Sequence, residues 1–180
     1  FDKESLGIPS SSFLFVYAGR LTAGKNIVSL IQEFGKYHQQ DEYLLVLGNG
    51  EEFQQCVEIA DTHVKMLGFQ TNFLPYFAIS DVYISASKSE GFSISVLEAL
   101  GQGLGLFLSD IPSHREIFQM EHDFYLGEIF SLSSFAVQLE ELRKRKGEIQ
   151  RKQISNWKED NLSAHVMAQK YMEIYEGNDF

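Results

Sequence analysis

The chain is 180 residues long, with 44% hydrophobic residues, 15 phenylalanines and 8 tyrosines. This length and composition suit one globular domain with a full core and exclude a disordered chain. The formal net charge of −10 argues against nucleic acid as a partner, because binding to a phosphate backbone needs a basic surface. A small diphosphate ligand remains compatible with this charge if a few cations are placed locally.

Two further features of the composition bear on where the protein works. Cys56 is the single cysteine, so the chain can form no internal disulfide, and we expect a reducing, cytoplasmic compartment. No apolar run reaches the roughly 18 residues that a membrane-spanning helix needs. The sequence begins at Phe1 without the layout of a signal peptide, and we expect it to be a fragment of a longer protein.

Short apolar strands alternate with helical periodicity along the first two thirds of the chain. The pattern predicts five strands, at residues 13–18, 43–47, 64–67, 82–85 and 106–109. It predicts helices over residues 26–38, from residue 51 onwards, over residues 73–78 and after the loop at residues 89–93. This alternation predicts an α/β fold, a Rossmann-like parallel sheet with helices on both faces. In such sheets ligands bind at the carboxyl ends of the strands.

The last third of the chain is less regular. We expect residues 111–113 to form a turn and residues 124–127 to form a short edge strand. Helical spacing predicts two more helices, over residues 131–145 and 162–175. The residues of the last helix that we predict to face inward are Val166, Tyr171 and Ile174.

Residues 89–100, with the sequence SEGFSISVLEAL, are predicted to be a loop that leads into a helix. Gly91 suits a tightly bent backbone, and Ser93 is the predicted N-cap. Glu90 precedes the helix and Glu98 lies one turn inside it, so both can face the space above the helix start. The free amides and the dipole there suit phosphate, whereas the two carboxylates suit the hydroxyls of a sugar or a ribose. The predicted buried stripe of this helix consists of Ile94, Val96, Leu97 and Leu100.

Residues 19–26 offer a competing interpretation. Their sequence, GRLTAGKN, follows a strand, opens a helix and nearly matches the P-loop of nucleotide-hydrolysing proteins. Asp110 follows an apolar strand, as does the aspartate that holds Mg²⁺ in such proteins. Asn26 occupies the position where a hydroxyl would bind the metal, and this counts against the P-loop. A P-loop-like nucleotide-binding domain remains the alternative.

The spacing of Glu90 and Glu98 within EGFSISVLEAL resembles the signature of the retaining glycosyltransferases of family four, group 1. Those enzymes have the two-domain GT-B fold, and the signature lies in the C-terminal, donor-binding domain. The resemblance is strong over about residues 13–117. It implies that residues 1–180 form a single domain that binds a nucleotide sugar, and that the N-terminal acceptor domain is absent from this chain.

The resemblance also implies a role for each residue that matches the family pattern. Arg20 and Lys25, in the segment that begins Gly-Arg-Leu, would bind the donor diphosphate. Glu90 would act at the catalytic centre by binding hydroxyls of the transferred sugar, and Glu98 would bind the ribose. The nucleotide base would be held by the backbone after the third strand. The other implied donor-binding residues are Gly19, Gly68, Phe69, Gln70, Gly91, Phe92 and Ser93.

The implied reaction is transfer of a sugar from a nucleotide diphosphate sugar with retention of the anomeric configuration. No metal or other cofactor is expected, because Arg, Lys and helix amides can stabilise the leaving diphosphate. A further alternative is a non-catalytic nucleotide-sugar binding module, against which the intact glutamate pair and cations argue. The chain departs from the family at residues 103–106, where Gly-Leu-Gly-Leu replaces the usual Gly-x-Pro turn.

Two features receive no place in this site. His114 stands alone in the predicted loop, and a lone histidine is usually not catalytic, so we assign it no role. Six of the fifteen lysines and arginines lie in residues 143–146 and 151–152, which we predict to be a solvated helix face. Peripheral contact of this basic face with anionic lipid head groups is the alternative.

Overall fold

The computed structural model describes residues 1–91 and 93–175, and its centre is one six-stranded sheet. The strand order is β3-β2-β1-β4-β5-β6, and all five neighbouring pairs are parallel. This order reverses direction between β1 and β4, as in the Rossmann fold. The strands are β1 Phe13–Ala18, β2 Glu42–Leu47, β3 Val64–Gly68, β4 Val82–Ser85, β5 Gly105–Ser109 and β6 Gly127–Phe130.

Eight α-helices in the described residues connect and cover these strands. They are α1 Ile27–Tyr37, α2 Phe53–Ile59, α3 Leu74–Ile79, α4 Ile94–Gly101, α5 Pro112–Gln119, α6 Phe135–Arg145, α7 Arg151–Leu162 and α8 Ala164–Tyr175. Three single-turn 3-10 helices span Glu4–Leu6, Leu132–Ser134 and Lys146–Glu148. The predicted α/β class, with helices on both faces of a parallel sheet, is confirmed.

The two faces of the sheet bury separate hydrophobic cores. Successive residues of β1 alternate between them: Phe15 and Tyr17 pack with α1, α2 and α6, whereas Leu14 and Val16 pack with α3, α4, α5 and α7. All four side chains are at most 1% exposed. A strand buried on both faces needs an apolar residue at every position, and this explains the continuous apolar runs of the sequence.

Two expectations for the last third of the chain are wrong. Residues 111–113 are not an isolated turn, because Pro112 begins α5, where a proline without an N–H is compatible with the first helical turn. The edge strand lies at Gly127–Phe130 rather than at residues 124–127. Gly127 pairs with Leu106 at a φ of 138°, and a side chain there would collide with the Leu106 carbonyl oxygen. The apolar Tyr125 and Leu126 are buried before the strand starts.

The basic residues near the end of the chain form more internal contacts than a solvated face would. Arg143 donates to Glu42, which is fully buried at the start of β2. Arg151, at the start of the unpredicted helix α7, donates to the carbonyls of Ser80 and Gln102, just beyond the ends of α3 and α4. The solvated-face prediction is therefore wrong for these two arginines. Contact of the remaining cations with lipid stays a prediction.

The last helix, α8, corresponds to the predicted helix at residues 162–175, although it starts at Ala164. Val166 is half-buried. The predicted inward orientation of Tyr171 and Ile174 lies outside what the structure describes.

Candidate functional site

A cavity of about 270 Å³ opens at the carboxyl edge of the sheet. It lies where β1, β2 and β3 end and where α4 begins, beside the point at which the strand order reverses. Ligands of open α/β sheets bind at this position. The residues that line the cavity are Ala18, Gly19, Arg20, Leu47, Gly48, Asn49, Phe69, Gln70, Phe73 and Ser95.

Backbone hydrogen bonds hold the floor of this cavity together. The N–H of Gly19 donates to Leu47, and the N–H of Gly48 donates to Gly68, so the three strand ends form one continuous ladder. Gly48 has a φ of 142°, and a Cβ at this position would lie 1.8 Å from the Gly19 carbonyl oxygen. Only glycine permits this approach of the two strand ends, so the floor of the cavity depends on it.

The predicted base-binding residues form one wall of the cavity. Gly68 ends β3 with a φ of 67°, which turns the chain outward and leaves the Phe69 ring 72% exposed at the rim. The Gln70 amide is fixed at both ends, since its Nε2 donates to Leu67 at 2.8 Å and its Oε1 accepts from the Tyr76 hydroxyl at 3.0 Å. This wall therefore combines an exposed aromatic face with a polar side chain in a fixed orientation.

The structure places Lys25 against Glu90. Lys25 Nζ lies 2.5 Å from Glu90 Oε1, and the Ser87 hydroxyl donates to the same oxygen at 2.7 Å. The Glu90 side chain is only 12% exposed. The N–H of Lys88 also donates to Gly24, which ties the loop after β4 to the loop after β1. Lys25, which was predicted to bind the diphosphate, is therefore paired with Glu90, which was predicted to bind the sugar.

Glu98 lies one turn inside α4, with one unpartnered oxygen. Its Oε2 is buried and accepts no hydrogen bond from any described residue. Burial raises the pKa of Glu98 above its ordinary value. The hydroxyl of Tyr83 donates to the Ala18 carbonyl. Burial is the main cause that raises the pKa of Tyr83, and Ser95, Glu90 and Glu98 are close enough to affect this pKa as well. Both predicted glutamates therefore lie near the same buried hydroxyl beside the cavity.

The start of α4 differs from the prediction in two details. Ser93 is the N-cap residue, but its hydroxyl accepts no capping hydrogen bond. Ile94 is 71% exposed, so its predicted place in the buried stripe is wrong. The stripe is formed by Val96, Ala99 and Leu100, whose i, i+3, i+4 spacing fits one helix face better. Gly91 is exposed, and Phe92 lies outside the described residues.

His114 is buried within the same edge of the sheet. Its Nδ1 donates to the Ser109 carbonyl at 2.8 Å, and its Nε2 is buried with no partner among the described residues. Burial lowers the pKa of His114, while Glu90 and Lys25 are close enough to act on it in opposite directions. Sequence reasoning left this histidine in a loop because helix α5 was not predicted.

Other residues at the site were also missed by sequence reasoning. Phe73, Ser95 and Tyr83 received no role, although Ser95 lines the cavity and lies three residues before Glu98 on α4. Phe73 and Tyr83 look like ordinary core aromatics in the sequence. Phe73 lines the cavity, and the Tyr83 hydroxyl donates to the cavity residue Ala18. Both placements are tertiary contacts that no local pattern reveals.

The loop after β1 does not form a P-loop. The N–H of Gly19 donates to Leu47 at the end of β2, and the N–H of Leu21 donates to Asn49 in the loop after β2. The N–H groups of Lys25 and Asn26 both donate to the Thr22 carbonyl. These four amides are therefore already hydrogen-bonded inside the protein and cannot surround a phosphate as in a P-loop. The Lys25 ammonium is bound to Glu90 instead of facing into the loop. This geometry argues against the alternative.

The family model described as "Glycosyl transferases group 1" matches residues 1–160. This chain belongs to the group 1 glycosyltransferase family. It is 27% identical over 185 residues to N-acetyl-alpha-D-glucosaminyl L-malate synthase of Bacillus anthracis, with 96% of this chain and 48% of that protein covered. It is 28% identical over 144 residues to the Escherichia coli UDP-Gal:alpha-D-GlcNAc-diphosphoundecaprenol alpha-1,3-galactosyltransferase, with 74% and 37% covered. The chain thus spans about half of these relatives or less.

Solved structures show the same fold. A glycosyltransferase from Rickettsia africae superposes with a TM-score of 0.78 at 18% identity, covering 97% of this chain and 50% of that one. Anabaena Alr3699/HepE, solved in complex with UDP and glucose, gives a TM-score of 0.75 at 18% identity, covering 97% and 51%. The chain therefore has the fold of one Rossmann-like half of a GT-B glycosyltransferase. None of its described helices has the length and apolar character needed to cross a membrane.

Proposed function

We propose that this chain is the donor-binding half of a retaining glycosyltransferase and that it binds a uridine diphosphate sugar in the cavity at the carboxyl edge of the sheet. The observation that carries this proposal is the Glu98 carboxylate, whose buried Oε2 has no partner among residues 1–91 and 93–175. A buried carboxylate oxygen without a hydrogen bond is costly, and a ribose hydroxyl would satisfy it.

The wall beyond β3 would hold the base. Phe69 offers an exposed aromatic face for stacking, and the fixed Gln70 limits the space beside it. Uracil is the base we propose, because several relatives are named for UDP-sugars and neighbouring structures contain UDP. Gly68 would provide the turn that brings the backbone close to the base.

The diphosphate would lie between the loop after β1 and the start of α4. Arg20 is exposed at the cavity, and its guanidinium can bind phosphate oxygens in a bidentate manner. The first-turn amides of α4, near Gly91, Phe92 and Ser93, would add donors at the positive end of the helix dipole. Lys25 would join them by exchanging Glu90 for phosphate. With these cations in place, the proposal requires no metal.

Glu90 would then be free to bind hydroxyls of the transferred sugar. Ser87 and Lys25 both bind its Oε1, so Oε2 could accept from a sugar hydroxyl, and release of Lys25 to the diphosphate would free a further acceptor position on Oε1. Transfer with retention would also require an acceptor, which we place in a second domain that closes over this edge. The acceptor domain, the anomeric outcome and the roles of these residues are all part of the proposal.

Titration calorimetry of the chain with UDP, GDP and ADP, in buffer with EDTA, tests this function. We expect UDP to bind with the lowest Kd of the three. The variant Arg20→Ala should weaken UDP binding by about 1.5–3 kcal/mol, the usual contribution of hydrogen bonds to a charged group. Lys36→Ala, which removes the same charge on α1 far from the cavity, is the matched control and should leave the Kd unchanged.

Two outcomes would contradict the proposal in different ways. Binding that appears only with Mg²⁺ and prefers ATP or GTP would support the P-loop-like alternative. If the chain binds no nucleoside diphosphate even at millimolar concentration, this result would favour a non-catalytic module that keeps the fold but has lost the glycosyltransferase chemistry.

A further inference from the structure

Two histidines and one aspartate meet at the opposite edge of the sheet from the cavity. His38 caps the C-terminus of α1, Asp61 follows α2, and His63 directly precedes β3. The His63 carbonyl accepts from the N–H of Leu44 near the start of β2, which fixes the cluster at the amino ends of the strands. The glycosyltransferase site lies at their carboxyl ends, roughly 15–20 Å away over strands of five or six residues.

The side chains of this cluster converge on one small volume. One ligand atom each from His38, Asp61 and His63 lies within 4.8 Å of the other two. His38 Nε2 is 2.9 Å from Asp61 Oδ2, and the centroids of the two imidazole rings are 4.1 Å apart. Two imidazoles and one carboxylate form a donor set that is typical of transition-metal sites.

The hydrogen bonds of His38 point to a cation between it and the aspartate. Its Nδ1 lies 3.0 Å from the Gln39 carbonyl, which can only accept, so Nδ1 carries the hydrogen. In the neutral ring, Nε2 then carries a lone pair that faces the Asp61 carboxylate. Nε2 and Asp61 Oδ2 would both be acceptors, and at a distance of 2.9 Å they would repel each other. Either a proton or a metal ion must lie between them. A hydrogen bond from the second ring nitrogen to a backbone carbonyl also orients histidines that ligate metals.

The surroundings of the cluster favour positive charge. The C-terminal ends of α1 and α2 direct their partial negative charge toward it. The N–H of His63 donates to Asp61 Oδ1 at 2.8 Å, which leaves Oδ2 facing His38. A carboxylate oxygen at this position attracts a cation, as do the two helix ends. The net charge of −10 acts in the same direction.

We propose that His38, Asp61 and His63 bind one Zn²⁺ ion, or a transition-metal ion of similar chemistry, through the two imidazoles and the carboxylate. In tetrahedral Zn²⁺ coordination, with bonds of about 2.0–2.1 Å, ligand atoms are about 3.3 Å apart. The His38–Asp61 pair would therefore need to open by only about 0.4 Å. The ion would join the ends of α1 and α2 to the start of β3, with water in the remaining position. Mg²⁺ and Ca²⁺ prefer all-oxygen ligands and should not compete.

Calorimetric titration of Zn²⁺ into the tag-free chain, stripped with a chelator and held at pH 7.5, tests this site. We expect one ion per chain, and His38→Ala and His63→Ala should each weaken binding at least about tenfold, in line with the 10–100-fold losses seen even for supporting residues. His165→Ala, which removes an exposed histidine from α8, is the matched control and should bind Zn²⁺ like the unchanged chain. MgCl₂ should give no saturable heat.

A second measurement separates loss of the site from loss of the fold. Far-UV circular dichroism should be the same in all variants, and saturating Zn²⁺ should raise the Tm of the unchanged chain and of His165→Ala but not of His63→Ala. Absence of saturable Zn²⁺ binding, or binding that survives both His38→Ala and His63→Ala, would overturn the proposal.

Discussion

Glu98 carries the clearest conflict between stability and binding in this chain. Within the part of the chain that the structure describes, its buried Oε2 lacks a partner, and burial raises the pKa of the Glu98 carboxyl. The folded chain therefore retains the proton of this carboxyl to a higher pH than the unfolded chain does. Ionisation of Glu98 at neutral pH accordingly costs folding free energy, and we expect such a cost to persist only where ligand binding requires the charge.

The variant Glu98→Gln should be more stable than the unchanged chain at pH 7.5. It keeps the shape of the side chain but removes the buried charge. The difference should shrink as the pH falls through the raised pKa of Glu98 and should vanish below the ordinary value of about 4.3, where both folded and unfolded chains are protonated. Urea denaturation at several pH values measures this. Glu159→Gln, at an exposed position of α7, is the control, and its stability should not depend on pH in this way. A stability gain of Glu98→Gln that is the same at every pH would refute the explanation by charge.

The identity of the site residues is predictable from sequence, but their pairing is not. Glu90, Glu98, Arg20 and Lys25 lie within short local patterns, and their types suit hydroxyls and phosphate. The Lys25–Glu90 contact joins residues 65 positions apart, and no spacing rule predicts it. The unpartnered atoms of Glu98 and His114 are equally invisible before the chain is folded.

At the scale of elements, the strands are the best-predicted part of the molecule. Strands β1 and β4 match the predicted bounds, and β2, β3 and β5 each differ by one residue at one end, because continuous apolar runs end at glycine or polar residues. The helix α7 escapes prediction because it buries only Ile154, Trp157 and Leu162 within a polar sequence. Its first residue, Arg151, contributes by capping α3 and α4, which is a tertiary effect.

A buried ion pair attaches α6 to the sheet. Glu42 is 0% exposed at the start of β2 and accepts two hydrogen bonds from Arg143, which also donates to the Tyr37 carbonyl at the end of α1. Removal of one partner leaves the other as an unpaired buried charge. Arg143→Ala should therefore lower the free energy of unfolding by about 3–5 kcal/mol.

Urea denaturation with a matched variant measures this effect. Lys144→Ala removes an exposed cation, next along α6, whose partner is Glu141, and it should change the stability by less than about 1 kcal/mol. A double variant, Glu42→Gln with Arg143→Met, should recover part of the loss because no charge is left buried. Equal effects of Arg143→Ala and Lys144→Ala would contradict the role assigned to this pair.

At the scale of the whole molecule, the chain corresponds to about half of its relatives. We expect it to fold alone, since the sheet and both cores are complete within the described residues. It should bind a nucleoside diphosphate weakly, because a second domain that excludes water would strengthen these contacts. These 180 residues alone should transfer no sugar, because in this proposal a second domain positions the acceptor. An assay with a radiolabelled UDP-sugar and candidate lipid or sugar acceptors tests this, and measurable transfer by the chain alone would contradict it.

The central claim is that the cavity binds a nucleoside diphosphate with Glu98 on the ribose and Glu90 reserved for the sugar, and calorimetry with UDP tests it most directly. Glu98→Ala should weaken UDP binding by about 1–3 kcal/mol, the cost of leaving ribose hydroxyls unpaired. Glu90→Ala should leave UDP affinity nearly unchanged, because UDP lacks the sugar and the substitution frees Lys25 for the diphosphate. Equal losses in the two variants, or a larger loss for Glu90→Ala, would contradict the assignment.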